Sequence, residues 1–455
     1  MKIDYEQDSP IVALATGYIQ SAIAVIRTSG TNTINLISNV VTSSIAIKNA
    51  THRSAHYTKI VDPITGEVLD EVVLVVYKAG GGFTSEEAIE IMCHGSLPGV
   101  QKIIELLCAN GFRMALPGEF SFRAFMNGKV DLTQAEAISE LVSSNSLYAH
   151  KMALKRLSGA LSKKIDEAKS LIVESLSAIE IQLDYPGDEI DDEAFYPTEK
   201  LIEAKKIISN LIDSYEASSL YKDGFKVALC GKTNAGKSSL FNLFLKEDRS
   251  IVSEVDGTTR DYLEASILLN EHNIVLYDTA GLRQTLDPIE VEGIKRTKEV
   301  IKGSNLVLYL IDGTKEIPEA EIEEIKALAS NIILVFNKSD ESNFLYGNKN
   351  LTLSTKTQAG FPRLVNEITN LIKTQIGAHD FSDGCVVESL RQKNLLQTAL
   401  NGIDAALNGL NLSEVALDGV AVDMQEALSA VGELTGEVTT DEILTKMFSD
   451  FCVGK

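Results

Sequence analysis

Gly231–Leu240 reads GKTNAGKSSL, and its neighbours decide how it folds. The run FKVALC (225–230) before it is strand-like, and SSLFNLFL (238–245) after it is helix-like. Gly231, Gly236, Lys237 and Ser238 match the spacing G-x-x-x-x-G-K-[ST] in the strand–loop–helix setting that this pattern requires. Backbone N–H groups of such a loop cradle phosphate oxygens at a helix N-terminus. Lys237 is expected to bridge the β- and γ-phosphates and Ser238 to ligate Mg²⁺. The contacting run is Asn234, Ala235, Gly236, Lys237, Ser238 and Ser239.

Further motifs follow in the order of a nucleotide-binding α/β domain. Thr258 and Thr259 lie in DGTTRD, and DTAG (Asp278, Thr279, Ala280, Gly281) follows the strand-like HNIVLY. Thr259 is placed to close on Mg²⁺ and the γ-phosphate, Asp278 to hold the metal's water shell, and Gly281 to offer its N–H. NKSD follows IILVF and brings Asn337, Lys338 and Asp340. A carboxylate at Asp340 accepts two hydrogen bonds from the ring N–H and amino group of guanine, which adenine does not offer in that arrangement. GTP is therefore expected over ATP. Ser354, Thr355 and Lys356, after NLTL, are expected to support the guanine carbonyl through backbone N–H.

The position after DTAG, where a Ras-like enzyme orients water with glutamine, holds Leu282. An apolar side chain cannot do this, so hydrolysis either is slow or uses another group. Glu290 in LRQTLDPIEVEGI is one candidate, with a solvent-facing carboxylate as its other reading. Asn234 also has two readings. Its amide oxygen either ligates a cation that offsets transition-state charge, or holds the loop through local hydrogen bonds.

The whole chain, 455 residues, suggests about three domains. It is 44% apolar and 23% charged, an ordinary globular mixture. Residues 1–127 mix strands (IVALAT, SAIAVIRTSG, EVVLVVYKAG, AIEIMCHG) with a helix over GVQKIIELLCANG, as an α+β domain does. Residues 128–223 turn helical, with Ile165, Ala168, Ile172, Leu176, Ile179 and Leu183 forming an apolar stripe. Residues 377–455 carry a second stripe, Leu396, Leu400, Ile403, Leu407 and Leu410. The expected arrangement is a discontinuous helical domain interrupted by the α/β domain, 224–376, whose sheet is mainly parallel.

Five scattered cysteines without CxxC spacing indicate neither a disulfide framework nor a zinc site, and a reducing cytosol is the expected location. The N-terminus has no basic and apolar leader pattern, and NLVLYLI and NIILVF are too short to span a bilayer. A formal charge of −22 argues against coating nucleic acid by simple attraction. His150, Lys151, Lys155, Arg156, Lys163 and Lys164 form a local basic stretch, either a phosphate contact or a solvated helix face. His52 and His56 have no third ligand nearby in sequence and read as surface or packing residues.

GKTNAGKSS, DGTTRD and DTAGLR, with PGEFSFRAFMNGKVDLTQAEA (117–137) and the tail FCVGK (451–455), make the chain resemble the MnmE (TrmE) family of tRNA-modifying GTPases. The last two motifs set this family apart from other small GTPases. The resemblance implies an N-terminal folate-binding and dimerisation domain, a homodimer, and potassium-stimulated hydrolysis when two GTPase domains meet. It implies Asn234, Ser253, Val255 and Thr258 as K⁺ ligands, Ser238 and Thr259 as Mg²⁺ ligands, and Glu254, Asp256 and Gly257 among the GTP contacts. Glu290 would position water through a second water.

The family acts with an FAD-dependent partner, MnmG, in a heterotetramer; the flavin stays on that partner. Together they add aminomethyl or carboxymethylaminomethyl groups at C5 of the wobble uridine of certain tRNAs, with a 5-formyl- or methylene-tetrahydrofolate supplying one carbon. On matching positions Arg27, Glu90, Lys129 and Lys455 would contact the folate, and Cys452 would be the family's C-terminal cysteine. From the residues alone, Arg27 and Lys129 read as surface or salt-bridge groups, and Cys452 as a small buried hydrophobe. The chain departs from the family pattern at TGYIQSA, usually a glycine-rich turn, at Thr233, commonly proline, and at Thr355, often alanine. The reading is a GTPase motor for tRNA modification; the alternative is a GTP-dependent binding switch in ribosome or RNA assembly.

Overall fold

The computed structural model describes residues 9–144, 146–184, 196, 198–222, 224–247, 263–270, 272–278, 298–347, 351–376, 385–412, 415–449, 451 and 453–454. They form two compact units. One comprises Met1–Ser139, Arg156–Lys205 and Gln397–Lys455, and the other Glu140–Lys155 and Lys206–Leu396.

The first unit contains β1 (Ile11–Leu14), β2 (Ile23–Ser29), β3 (Ser54–Val61), β4 (Val68–Tyr77), β5 (Ala88–His94) and β6 (Arg113–Met114), in the order β3-β4-β5-β2-β1-β6. Pairing is antiparallel except between β1 and β6. One face buries Val12, Ala24, Ile26, Val72, Leu74, Val76, Ile89 and Ile91 with Val100, Ile103 and Leu107 of the helix Leu97–Ala109. That helix repeats its apolar side chains three and four apart, so they share one face. β3 was not expected from the sequence. Its run SAHYTKIV is an edge strand that interleaves polar with apolar residues and buries only Thr58 and Ile60.

The helix Ala160–Asp184 buries Ile165, Ala168, Ile172, Leu176 and Ile179, the expected stripe, and packs along the helix Leu417–Thr435. An ion pair between Lys169 and Glu437 supports the two chain regions. On the helix Leu390–Leu410 the buried apolar side chains are Leu396, Ala399, Ile403, Ala406 and Leu410, while Leu400 and Leu407 are half-buried. The inward line therefore runs through the two alanines. The C-terminal helix Asp441–Ser449 inserts Leu444 and Phe448 among Phe122, Leu132 and Ala135. Phe448 meets Phe122 edge-on at 5.6 Å between ring centroids, an arrangement that the ring quadrupoles favour.

The second unit holds β7 (Phe225–Cys230), β8 (Leu263–Leu269), β9 (His272–Asp278), β10 (Leu306–Asp312), β11 (Ile332–Asn337) and β12 (Leu351–Thr352), ordered β12-β11-β10-β7-β9-β8. All pairs are parallel except β8 with β9, so the sheet is mainly parallel. Strands buried on both faces read as near-continuous apolar runs, as β10 does with Leu306 to Leu310 all at 0% exposure. One face packs on the helices Lys237–Glu247 and Phe361–Ile376 through Leu240, Phe244, Leu364 and Ile368. Ile322 and Ile325 of the helix Glu319–Lys326 join the cluster on the other face. Within this unit, the Val387 N–H donates to Ser214 Oγ at 3.0 Å, and Ser218 Oγ donates to the Val387 carbonyl at 2.6 Å. The chain before β7 and the chain after Phe361–Ile376 are thereby fastened side by side.

Phe448→Ala removes a side chain with 0% exposure and is expected to destabilise its unit by about 3–5 kcal/mol. Urea unfolding of the full chain reads this as a lower midpoint for one transition. Ile64→Ala, at a position 92% exposed, is expected to leave it within about 0.5 kcal/mol.

Candidate functional site

The loop that leaves β7 wraps over the start of the helix Lys237–Glu247, so the orphan N–H groups of the first turn face a cleft at the carboxyl end of the parallel sheet. Lys237 is 8% exposed, and its ammonium donates to the carbonyls of Gly231 and Lys232 at 2.8 and 3.0 Å. Its charge is thus held over the loop. Ser238 Oγ, in the first turn of that helix, donates to Asp278 Oδ2 at the end of β9 at 3.0 Å. The hydroxyl and the carboxylate make an all-oxygen donor pair, which suits Mg²⁺. Asn234 is exposed on the cleft with φ 63, a left-handed conformation that asparagine tolerates better than most residues. Among the described residues its amide makes no hydrogen bond.

Asn337, at the end of β11 and 1% exposed, joins three loops. Its Nδ2 donates to the Ala235 carbonyl at 2.8 Å and to Thr355 Oγ1 at 3.3 Å, and its Oδ1 accepts from the Thr355 N–H at 3.1 Å. Gly236 makes this approach possible. It has φ +102, and a Cβ there would lie 2.1 Å from Asn337 Nδ2. Thr355, where the family often has alanine, supplies a hydroxyl acceptor that alanine lacks.

Ser354 Oγ donates to Asp340 Oδ1 at 2.6 Å and holds the Asp340 carboxyl below its ordinary pKa, with Lys356 adding its charge from 4.0 Å. The carboxylate is therefore oriented and ionised for guanine. These residues, Thr233, Asn234, Gly236, Lys237, Ser238 and Ser239 on one side and Asn337, Lys338, Asp340, Thr355 and Lys356 on the other, line one cleft of ≈ 540 Å³. That is ample for a nucleotide.

One contributor was not foreseen. Asp312, the last residue of β10, accepts from Lys338 Nζ at 2.6 Å through Oδ2 and from Thr314 Oγ1 at 2.7 Å through Oδ1. Burial pushes its carboxyl up, but Lys338 and Thr314 together hold it below the usual carboxylate range. A carboxylate at the end of a strand lying between two motif-bearing strands was the available signal. Ser253, Glu254, Val255, Asp256, Gly257, Thr258, Thr259, Thr279, Ala280, Gly281, Glu290, Cys452 and Lys455 lie outside the described residues.

A second, smaller pocket of ≈ 240 Å³ lies in the first unit. Arg27 and Glu90 are cross-strand partners on β2 and β5, and Arg27 Nε donates to Glu90 Oε1 at 3.0 Å. Arg27 Nη1 also donates to the Gly454 carbonyl at 3.3 Å, and the guanidinium sits 5.1 and 5.8 Å from the ring centroids of Phe83 and Phe120. Arg27 is therefore locked by an ion pair, the tail and two ring faces. Lys129 and Tyr77 line the same pocket. Burial raises the Tyr77 hydroxyl pKa, and neighbouring Glu90 raises it further. The wall behind is stiffened by Ser29 Oγ, which donates to Glu86 Oε2 at 2.6 Å, and by Arg123, which pairs with Glu86 and Glu119. Tyr18 and Ile19 of TGYIQSA are 70% exposed. His52 Nδ1 accepts from the Lys78 N–H at 3.2 Å, and His56 Nε2 lies 2.8 Å from Ser54 Oγ, so the two rings serve different neighbours.

A G-x-x-x-x-G-K-[ST] loop, an aspartate beside its serine and an Asn-Lys-x-Asp loop at the carboxyl ends of one mainly parallel sheet define a P-loop GTP-binding protein, here with a second pocket on a separate sheet. Residues 132–452 match the family description "MnmE helical domain", and residues 10–129 match "GTP-binding protein TrmE N-terminus". "tRNA modification GTPase MnmE" of Borrelia recurrentis (strain A1) is 39% identical over 99% of both chains. The protein so described from Treponema denticola is 39% identical over 99% of both, and that from Cytophaga hutchinsonii 37% identical over 98% of this chain and 97% of its own. The chain belongs to the MnmE (TrmE) family.

Two outcomes are expected from the geometry. Asn337→Ala removes contacts worth about 1 kcal/mol each and is expected to weaken GDP affinity at least about tenfold by fluorescent-nucleotide titration. Because the Asp340 pKa is lowered, guanine binding should persist until the pH falls below the ordinary aspartate range. Ser354→Ala raises that pKa, so the loss should begin at higher pH.

Proposed function

We propose a potassium-stimulated GTPase that works with an FAD-dependent MnmG-type partner to modify C5 of the wobble uridine in certain tRNAs. Family membership carries the coarser statement: the chain is a GTP hydrolase of tRNA modification. The finer reading rests on one observation above the others. Asn234 presents a neutral amide to the phosphate side of the cleft without a hydrogen-bond partner among the described residues, in a chain that carries Leu282 where water would otherwise be oriented.

In this reading, the attacking water forms a bond to the γ-phosphorus as the bond to the β–γ bridging oxygen breaks, giving GDP and phosphate. Lys237 and the loop N–H groups stabilise the phosphate oxygens, and Asp340 and Asn337 hold the guanine end so that the γ-phosphate is registered against Lys237. Ser238 and Thr259 would hold Mg²⁺ with Asp278 on its water shell, and the ion would neutralise charge on the phosphate oxygens. Asn234, Ser253, Val255 and Thr258 would hold K⁺ in the role of an arginine finger, and Glu290 would position water. The Asn234 oxygen suits a hard cation.

The domains are proposed as 1–127 for folate and dimerisation, 128–223 and 377–455 for the helical domain, and 224–376 for the GTPase. The Arg27, Glu90, Lys129 pocket suits a tetrahydrofolate derivative, the one-carbon source. Glu90 can accept from a pterin N–H and amino group, Phe83 offers a ring face, and Lys129 and Lys455 supply positive charge. A homodimer, assembled with the MnmG-type partner as a heterotetramer, places the flavin entirely on that partner.

GTP turnover by purified full-length protein is measured in KCl and NaCl at equal ionic strength, with Asn234→Ala alongside. A rise of tenfold or more in K⁺ that Asn234→Ala abolishes is expected, about the scale of one well-placed transition-state charge contact. Turnover that ignores the ion would remove the potassium reading and favour a binding switch that hydrolysis merely times.

A further inference from the structure

The small pocket of the first unit is unevenly charged. Its lining includes three cations, Arg27, Arg53 and Lys129, and one carboxylate, Glu90. Arg27 is committed to Glu90 at 3.0 Å and to the Gly454 carbonyl. Among the described residues, Arg53 and Lys129 make no ion pair and no side-chain hydrogen bond. Two positive charges therefore remain for a ligand.

The pocket's size says where they act. At ≈ 240 Å³ it falls below the usual range for a whole drug-sized molecule, so it seats a flat ring against Phe83 and leaves the rest of a larger ligand to run out over the rim. Arg53 stands at that rim, just before β3. Its φ of 58 is unusual for a non-glycine residue, and such conformations persist only where the surroundings enforce them, often at ligand clamps.

The surroundings do enforce it. The Arg53 N–H donates to the Val76 carbonyl at 2.8 Å, and neighbouring His52 Nδ1 accepts from the Lys78 N–H. The His52 ring lies edge-on to Tyr77 at 6.3 Å and fills the space over Gly81, where a Cβ would meet it at 1.9 Å. Tyr77 and Gly81 both line the pocket. The backbone that carries Arg53 is thus pinned to the pocket wall, while its guanidinium remains exposed and uncommitted.

We propose that Arg53 is a specificity-determining contact that reads an acidic tail, so that this pocket selects a flat, hydrogen-bonding ring bearing carboxylate over the same ring alone. Lys129 is the second cation, matching the two carboxylates of a glutamyl tail. The inference rests on the tetrahydrofolate reading of the pocket and adds to it the residue that distinguishes tailed from tail-less pterins. Guanidinium is suited to this because its planar fork pairs with carboxylate in two parallel hydrogen bonds.

The test uses the full-length chain, wild type and the variants Arg53→Ala and Arg53→Lys. Calorimetry is performed with 5-formyltetrahydrofolate and with a reduced pterin that lacks the aminobenzoyl-glutamate tail. Arg53→Ala is expected to weaken the tailed ligand about 10- to 100-fold and the tail-less ring less than about twofold, and Arg53→Lys to fall between. Retained binding of the tail-less ring shows that the pocket remains folded. An equal loss for both ligands, or no loss for either, overturns the assignment of Arg53 while leaving the folate reading intact. Wild-type protein that binds neither ligand overturns the folate reading and this assignment with it.

Discussion

The GTP-binding unit depends on one buried amide. Asn337 donates to the carbonyl of Ala235 and exchanges hydrogen bonds with Thr355, so the loop that holds phosphate, the loop that reads the base and the loop after β12 are fixed by a single side chain. The constraint extends outward. Gly236 must lack a Cβ for the amide to approach, and the backbone N–H of Gly313 donates to the Asn337 carbonyl at 2.9 Å, bringing the end of β10 into the same array. Asp312 then holds Lys338 from that end. Both loops line one cleft, so an error in their spacing would separate guanine recognition from phosphate positioning. Buried hydrogen bonds fix such spacing better than exposed ones, because breaking them leaves polar groups without water.

The other pocket follows a different plan. Its central arginine is held by a cross-strand carboxylate, by two aromatic faces and by the carbonyl of the penultimate residue, Gly454. That last contact exists because Phe448 and Leu444 anchor the final helix among Phe122 and Leu132. Apolar packing thus delivers the tail to a site built mostly from β-strands at the other end of the sequence. The backbone that carries Arg53 is anchored to the same wall, through the Val76 carbonyl and through His52 packed on Tyr77 and Gly81.

Much of this was legible beforehand because it is local. The strand–loop–helix context of GKTNAGKSSL, the apolar runs of β7, β10 and β11, and the stripe from Ile165 to Ile179 each depend on residues a few positions apart. β3 was hidden because an edge strand needs few apolar residues, and β8 because LEASILL lies outside the motifs and pairs antiparallel at the sheet's border. The leucine repeat from Leu396 to Leu410 pointed to the correct helix but not to its innermost line. Leu396, Ile403 and Leu410 of that repeat are buried, but Ala399 and Ala406 complete the line where Leu400 and Leu407 are half-buried, and small residues carry little hydrophobic signal of their own.

The sequence by itself determined the type of nucleotide, the order of the loops that bind it and the presence of long apolar helices on both sides, since periodicity and short motifs encode these directly. Only the tertiary structure decided that Asp312 would hold Lys338, that Thr355 would share hydrogen bonds with Asn337, that Gly454 would meet Arg27 and that Arg53 would stand at a pocket rim. Each of those contacts joins residues on different elements, and in the case of Arg27 and Gly454 they are separated by 427 positions. No local pattern specifies such pairs. They follow from how buried apolar faces bring strands and helices together, which leaves the polar groups at their ends to find partners.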